Sequence, residues 1–149
     1  MRVVVQRVRE AEVTVEGTPV GRIGVGLVAL VGVARGDGER DALWMARKVA
    51  ELRVFEDDGA RRQQSVLEVG GAVLAVSQFT LLGDCRKGRR PSFDGAMGVA
   101  EAEPCFERFV TALRACGVTV ATGRFGAHML VRLVNDGPFT VIVDSPAVA

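Results

Sequence analysis

GLVALVGVA, residues 26–34, decides the fold. It is a continuous apolar run, too short and too interrupted by glycine to span a membrane. It reads as a strand buried on both faces. Upstream, Arg2 to Val15 alternates in part, through Val3, Val5, Val8, Val13 and Val15, and reads as a bent or broken strand. Glu16-Gly17-Thr18-Pro19 is a turn signal, with Val20 to Ile23 as the returning strand. Downstream, Asp41 to Glu51 has helical spacing, with Leu43, Ala46, Val49 and Ala50 on one side and Arg47 and Lys48 on the other. Leu52 to Phe55 reads as a short strand and Glu56 to Ala60 as an acidic turn. Ala72 to Gln78 is a strong strand after Gly70-Gly71. Glu101 to Cys116 is a second helix, with Phe106, Phe109, Val110 and Leu113 at helical spacing and Gly117 as its C′ residue. Val118 to Thr122, Met129 to Val134 and Phe139 to Val143 read as the last strands, the final two separated by a Gly-Pro turn.

Two helices thus separate groups of about seven or eight strands without strict alternation. That argues against a doubly wound parallel sheet. It predicts one α/β domain over residues 1–149, with a mixed or mainly antiparallel, barrel-like sheet. Hydrophobic residues are 48% and charged residues 25%, the balance of a globular chain. Aromatics are only 5%, with no Tyr, so Val, Leu, Ala and a few Phe must build the core. The three cysteines, Cys85, Cys105 and Cys116, form no C-x-x-C pair, which argues against a disulfide framework or a zinc site. No leader-like segment opens the chain, which predicts a cytoplasmic protein.

The net charge of +1 is too small for bulk attraction to nucleic acid, so any such binding needs a local patch. Arg86-Lys87-Gly88-Arg89-Arg90, in the long polar segment Gly83 to Gly95, is one. It suits phosphate contacts, and equally suits a solvated loop. The common catalytic constellations are missing: His128 is the single histidine, and no nucleophile elbow, phosphate-binding loop or dinucleotide fingerprint is present. Asp57 and Asp58 fit a solvated turn better than an acid–base pair. Ser77-Gln78-Phe79-Thr80-Leu81 ends a strong strand, where polar side chains and departing backbone N–H groups can face a pocket.

SQFTL at Ser77 to Leu81 and NDGPFT at Asn135 to Thr140 together resemble the D-aminoacyl-tRNA deacylase family. RKGRRPSF at Arg86 to Phe93, QRV at Gln6 to Val8 and TGRFGA at Thr122 to Ala127 fit in order, so the resemblance spans essentially the whole chain. It implies a homodimer that hydrolyses the ester joining a D-amino acid to the terminal adenosine of tRNA, without cofactor or metal. It assigns the backbone of Phe79 and Thr80, with Ser77 and Gln78, to clamping substrate and oxyanion. Water is activated with help from the 2′-hydroxyl of the tRNA, and Thr80 positions the substrate. Gly137-Pro138 is implied to be a cis pair entering the other subunit's pocket as a chiral fence, with Phe125 and Met129 bordering that pocket. Arg86, Lys87, Arg89 and Arg90 would meet the tRNA.

Such a fence makes physical sense. D- and L-residues carry the same groups, so rejection by a rigid clash separates them without an attractive contact to the D side chain. Glycine, being achiral, would partly escape it. Two positions depart from the family pattern: Phe139 stands where Val is usual, and His128 where Asp is usual. Three alternatives stay open: a sister deacylase for a mischarged L-amino acid, a non-catalytic tRNA-binding dimer, and a dimeric structural protein.

Overall fold

In the computed structural model, which describes residues 1–57, 59 and 63–147, the partial alternation at the start of the chain is one unbroken strand. The elements are β1 (Arg2–Val15), β2 (Thr18–Ile23), β3 (Gly26–Gly32), α1 (Glu39–Glu51), β4 (Phe55–Glu56), β5 (Gln63–Gln64), β6 (Ala72–Ser77), a 3₁₀ turn (Phe79–Leu82), α2 (Val99–Ala115), β7 (Thr119–Thr122) and β8 (Leu130–Asp144). Val3 and Val5 face the helices, whereas Val8, Ala11 and Val13 face the opposite way. Register shifts in the β1–β8 ladder absorb that change of side, which is why the alternation looked broken.

One edge of β1 pairs antiparallel with β3 and then with β2, and the other edge with β8. β3 pairs parallel with β6, and β6 parallel with β7. The sheet is therefore mixed. Its end strands β2 and β7 come together: a Cβ built on Gly21 would lie 2.2 Å from the Thr122 carbonyl oxygen. This approach nearly closes the sheet into a barrel.

β3 and β6 are buried on both faces, as their continuous apolar runs require. Leu27, Ala29, Val31, Val73 and Ala75 pack beneath α1 and α2, while Val28, Leu74 and Val76 fill the barrel with Val8, Ala11, Val13 and Ile23. α2 buries Phe106, Phe109, Val110 and Leu113 as its spacing predicts, and Gly117 follows it at φ 95°. On α1 the buried stripe is Ala42, Met45, Ala46, Val49 and Ala50. Leu43 is 39% exposed, so the predicted apolar side is corrected by rotation onto Ala42 and Met45.

Two further expectations are corrected. The short strand is Phe55–Glu56 and pairs with Gln63–Gln64. The segment from Met129 to Val143 is not two strands around a turn. β8 runs through it, because the Gly-Pro segment bulges from the ladder instead of reversing the chain. Asp58 and Ala60, in the predicted acidic turn, lie outside the described residues.

The start of the chain is tied down electrostatically. The Met1 α-ammonium donates to Asp37 (2.6 Å) and to the Ser145 hydroxyl (2.8 Å). The second Asp37 oxygen accepts from the Ala34 N–H (2.6 Å). Nearby, Asp41 is buried at the start of α1 and accepts from the Gly38 N–H (3.0 Å). Burial alone would raise its carboxyl pKa, but that hydrogen bond, the α-ammonium and Arg40 hold it below the ordinary value.

A carboxylate depressed by folding stabilises the protein above its unfolded pKa, about 3.9, and loses that contribution as pH falls through the lower folded value. Asp41→Asn is therefore expected to leave a shallower fall in stability as pH drops below about 4. Chemical denaturation across that range checks it, and an unchanged acid limb would refute the assignment.

Candidate active site

The site begins where β6 leaves the sheet. Val31 pairs with Ser77, and the Gln78 N–H then donates to the Val31 carbonyl (2.7 Å). Beyond this bond the chain tightens into the 3₁₀ turn Phe79–Leu82, closed by Leu81 N–H to Gln78 O (3.2 Å) and Gly83 N–H to Thr80 O (3.0 Å). The first N–H groups of such a turn have no acceptor within it. Those of Phe79 and Thr80 take no part in the turn and loop hydrogen bonds among the described residues. The Gln78 side-chain amide donates to the Thr80 hydroxyl, which orients both side chains.

A cavity of about 630 Å³ opens beside this turn. Ser77, Gln78 and Phe79 line one side, Phe125, Ala127 and Met129 another, and Met97, Gly98 and Val99 a third. Its rim is apolar and open: Phe79 is 58% exposed, Phe93 38% and Val99 71%. Phe79 and Phe93 meet edge to face with centroids 5.3 Å apart. Phe125 leans on Phe106 of α2, which fixes the far wall (6.0 Å). Among the described residues that line it, His128 is the one with an ionisable side chain. A floor of valine and alanine with a few convergent polar groups suits a small organic group held by backbone donors.

The structure brings Ser77, Gln78, Phe79, Phe125 and Met129 to this cavity. Thr80 is adjacent through Gln78 but is not in its lining. No base contacts the Thr80 hydroxyl among the described residues, which suits positioning better than attack. Gly137 and Pro138 do not line the cavity of their own chain. They are exposed, and the peptide bond between them is cis.

The basic run caps a small hairpin. Asp84 and Ser92 exchange backbone hydrogen bonds (2.7 and 2.9 Å), leaving Arg86 to Arg90 exposed at the tip. Arg86 is not a free cation: it forks onto Asp84 (2.8 and 2.7 Å), which holds the Asp84 carboxyl below its ordinary pKa. Among the described residues no ion pair involves Lys87, Arg89 or Arg90. Cys85 is exposed beside them, Cys105 is buried, and all three cysteines are free. Burial, then Asp37, pushes the Cys105 thiol up.

Two features were missed from sequence. Phe93 was read only as the end of the basic run, and the hairpin is what carries its ring to Phe79. Arg7 was only the middle residue of QRV. Its side chain is 12% exposed and donates to the carbonyls of Asp136 (3.0 Å) and Val54, and its guanidinium lies over the Phe139 ring (5.3 Å). Asn135 donates back to the carbonyls of Arg7 (2.8 Å) and Phe139 (3.1 Å). Between the pairs Gln6–Thr140 and Val8–Asn135, the segment Asp136 to Phe139 is therefore bulged and clamped at both ends. Phe139 packs against the core beneath α1 and α2, so the larger ring anchors the bulge.

Residues 4–144 match the family model for D-Tyr-tRNA(Tyr) deacylase. A D-aminoacyl-tRNA deacylase of Halalkalibacterium halodurans is 55% identical over 97% of this chain and 99% of its own. That of Symbiobacterium thermophilum is 59% identical over 97% of this chain and 96% of its own. A solved c-Myc DNA Unwinding Element Binding Protein superimposes with a TM-score of 0.91 at 40% identity, covering 99% of this chain and 100% of that one. The chain belongs to the D-Tyr-tRNA(Tyr) deacylase family.

Proposed function

We propose that this protein is a cytoplasmic D-aminoacyl-tRNA deacylase, cleaving the ester between a D-amino acid and the terminal adenosine of tRNA. The observation that carries the reading is the pair of backbone N–H groups at Phe79 and Thr80, beside an apolar cavity whose lining has one ionisable side chain. Water adds to the ester carbonyl carbon, and the two N–H groups receive the charge that develops on its oxygen. The C–O bond to the ribose then breaks, and the 3′-oxygen takes a proton, with the neighbouring 2′-hydroxyl assisting. Gln78 and Thr80 hold the turn, Ser77 lies where β6 enters it, and Phe125 and Met129 bound the amino-acid space.

The working unit is a homodimer in which Gly137-Pro138 of one copy closes the cavity of the other. Its exposure outside its own cavity supports this, as do the solvent-facing Leu130 (63%), Val134 (48%) and Ile142 (69%) of β8. A backbone fence excludes an L side chain, tolerates varied D side chains and passes glycine, so glycyl-tRNA is cleaved as well.

The test is hydrolysis of D-tyrosyl-tRNA beside L-tyrosyl-tRNA and glycyl-tRNA. Release from the D- and glycyl-esters alone is expected. Cleavage of the L-ester would favour a sister deacylase, and binding without cleavage a non-catalytic tRNA-binding dimer. Replacing Lys87, Arg89 and Arg90 with Ser is expected to weaken binding alike for many tRNAs. It should also flatten the slope of log affinity against log salt by about 2. Arg86→Ser should matter less, because Asp84 already holds that cation. A loss confined to one tRNA would indicate base readout instead.

A further inference from the structure

We infer that Gly32 is a positioning residue for the Phe79–Thr80 donors, its missing side chain letting the 3₁₀ turn lie directly on the end of β3. The inference rests on the function proposed above. Gly32 follows Val31, whose carbonyl receives the Gln78 N–H. Val31 and Val33 line the cavity, and Gly32, between them, faces the other way. A Cβ built there would stand 2.5 Å from Leu82 Cδ2, 3.1 Å from the Gln78 carbonyl oxygen and 3.1 Å from Leu81 Cβ. All three atoms belong to the segment that forms the turn, and the Gln78 oxygen is the acceptor that closes it. The Gly32 φ is not in the left-handed region, so space, not backbone freedom, requires glycine here. Leu82 can swing its side chain away, but the Gln78 carbonyl moves only with the turn. A methyl at position 32 therefore displaces the two donors while touching neither substrate nor cavity.

The experiment measures kcat and KM on D-tyrosyl-tRNA, with melting curves, for Gly32→Ala, Leu82→Ala, the double variant and Phe79→Pro. Phe79→Pro deletes one of the two donors. In folded Gly32→Ala, kcat should fall about tenfold or more with KM little changed, since misplaced catalytic groups lose rate before binding. The double variant should recover little of that loss, because the Gln78 carbonyl still meets the methyl. A purely structural role would lower melting and leave kcat, so wild-type kcat in Gly32→Ala, or full recovery of kcat in the double variant, overturns the inference. If Gly32→Ala does not fold, the double variant is compared with Leu82→Ala. The contact with Gln78 should still lower its kcat, and equal values overturn the inference. Undiminished kcat in Phe79→Pro would overturn the proposed site and this inference with it. A slow Phe79→Pro beside a wild-type Gly32→Ala would overturn the inference alone.

Discussion

Arg7→Met is expected to lower the ratio of D- to L-ester hydrolysis by about tenfold or more, because the bulge bearing Gly137-Pro138 loses its clamp. The methionine keeps the alkyl packing and deletes the donors. The carbonyls of Asp136 and Val54 then lose a charge-assisted partner in a half-buried setting, and Phe139 loses the cation above its ring. Hydrogen bonds to charged groups contribute about 1.5–3 kcal/mol each, so loss of the two should lower stability by about 3 kcal/mol or more. Arg7→Lys is a sharper control. A single ammonium cannot reproduce the planar fork that spans two carbonyls, so it too should lose discrimination although the charge is kept. The readout is the ratio of the two kcat/KM values. A ratio unchanged in Arg7→Met would show either that Asn135 and Phe139 hold the bulge without the guanidinium or that the proposed Gly137-Pro138 fence does not set the discrimination.

The largest stability effect is expected at Gly26. A Cβ there would lie 1.8 Å from the Ala72 carbonyl oxygen and 2.8 Å from both the carbon and the nitrogen of that residue. These are backbone atoms at the first pair of the parallel β3–β6 ladder, which runs from Gly26–Ala72 to Val31–Ser77. No rotamer can relieve the clash. Either β6 retreats from β3, or β3 shifts against β1, where Gly26 pairs with Val8. Both routes open a core whose side chains are almost wholly enclosed. Gly26→Ala should therefore cost about 3 kcal/mol or more, the upper end of overpacking penalties. Gly24→Ala, two residues away with nothing near its Cβ, should stay within about 0.5 kcal/mol. Urea denaturation of the pair checks this, and a mild Gly26 variant would mean that the strands can separate there at little cost.

The candidate site was legible in sequence where its proposed chemistry is written in consecutive residues. SQFTL stands at the end of an apolar strand, and the structure puts it where β6 leaves the sheet beside the cavity. The basic run was visible as a patch, but not the pairing of Arg86 with Asp84, because an ion pair across a turn depends on rotamers as well as spacing. Phe93 and Arg7 were unreadable for a different reason. Their partners, Phe79 and the Asp136–Phe139 bulge, are near them only after the hairpin closes and β1 pairs with β8.

By itself the sequence determined two helices, the apolar strands GLVALVGVA and AVLAVS, and a sheet mixed or mainly antiparallel, because periodicity records which faces meet water. It misjudged Leu43 and the Gly-Pro segment, because burial on α1 is set by the sheet beneath it and a bulge differs from a turn only through its partner strand. Only the tertiary structure decided the closure of β2 on β7, the cavity between the 3₁₀ turn and α2, and the clamp of Arg7 on a segment more than a hundred residues away. Those contacts join residues remote in the chain, and their distances arise only when the sheet curls.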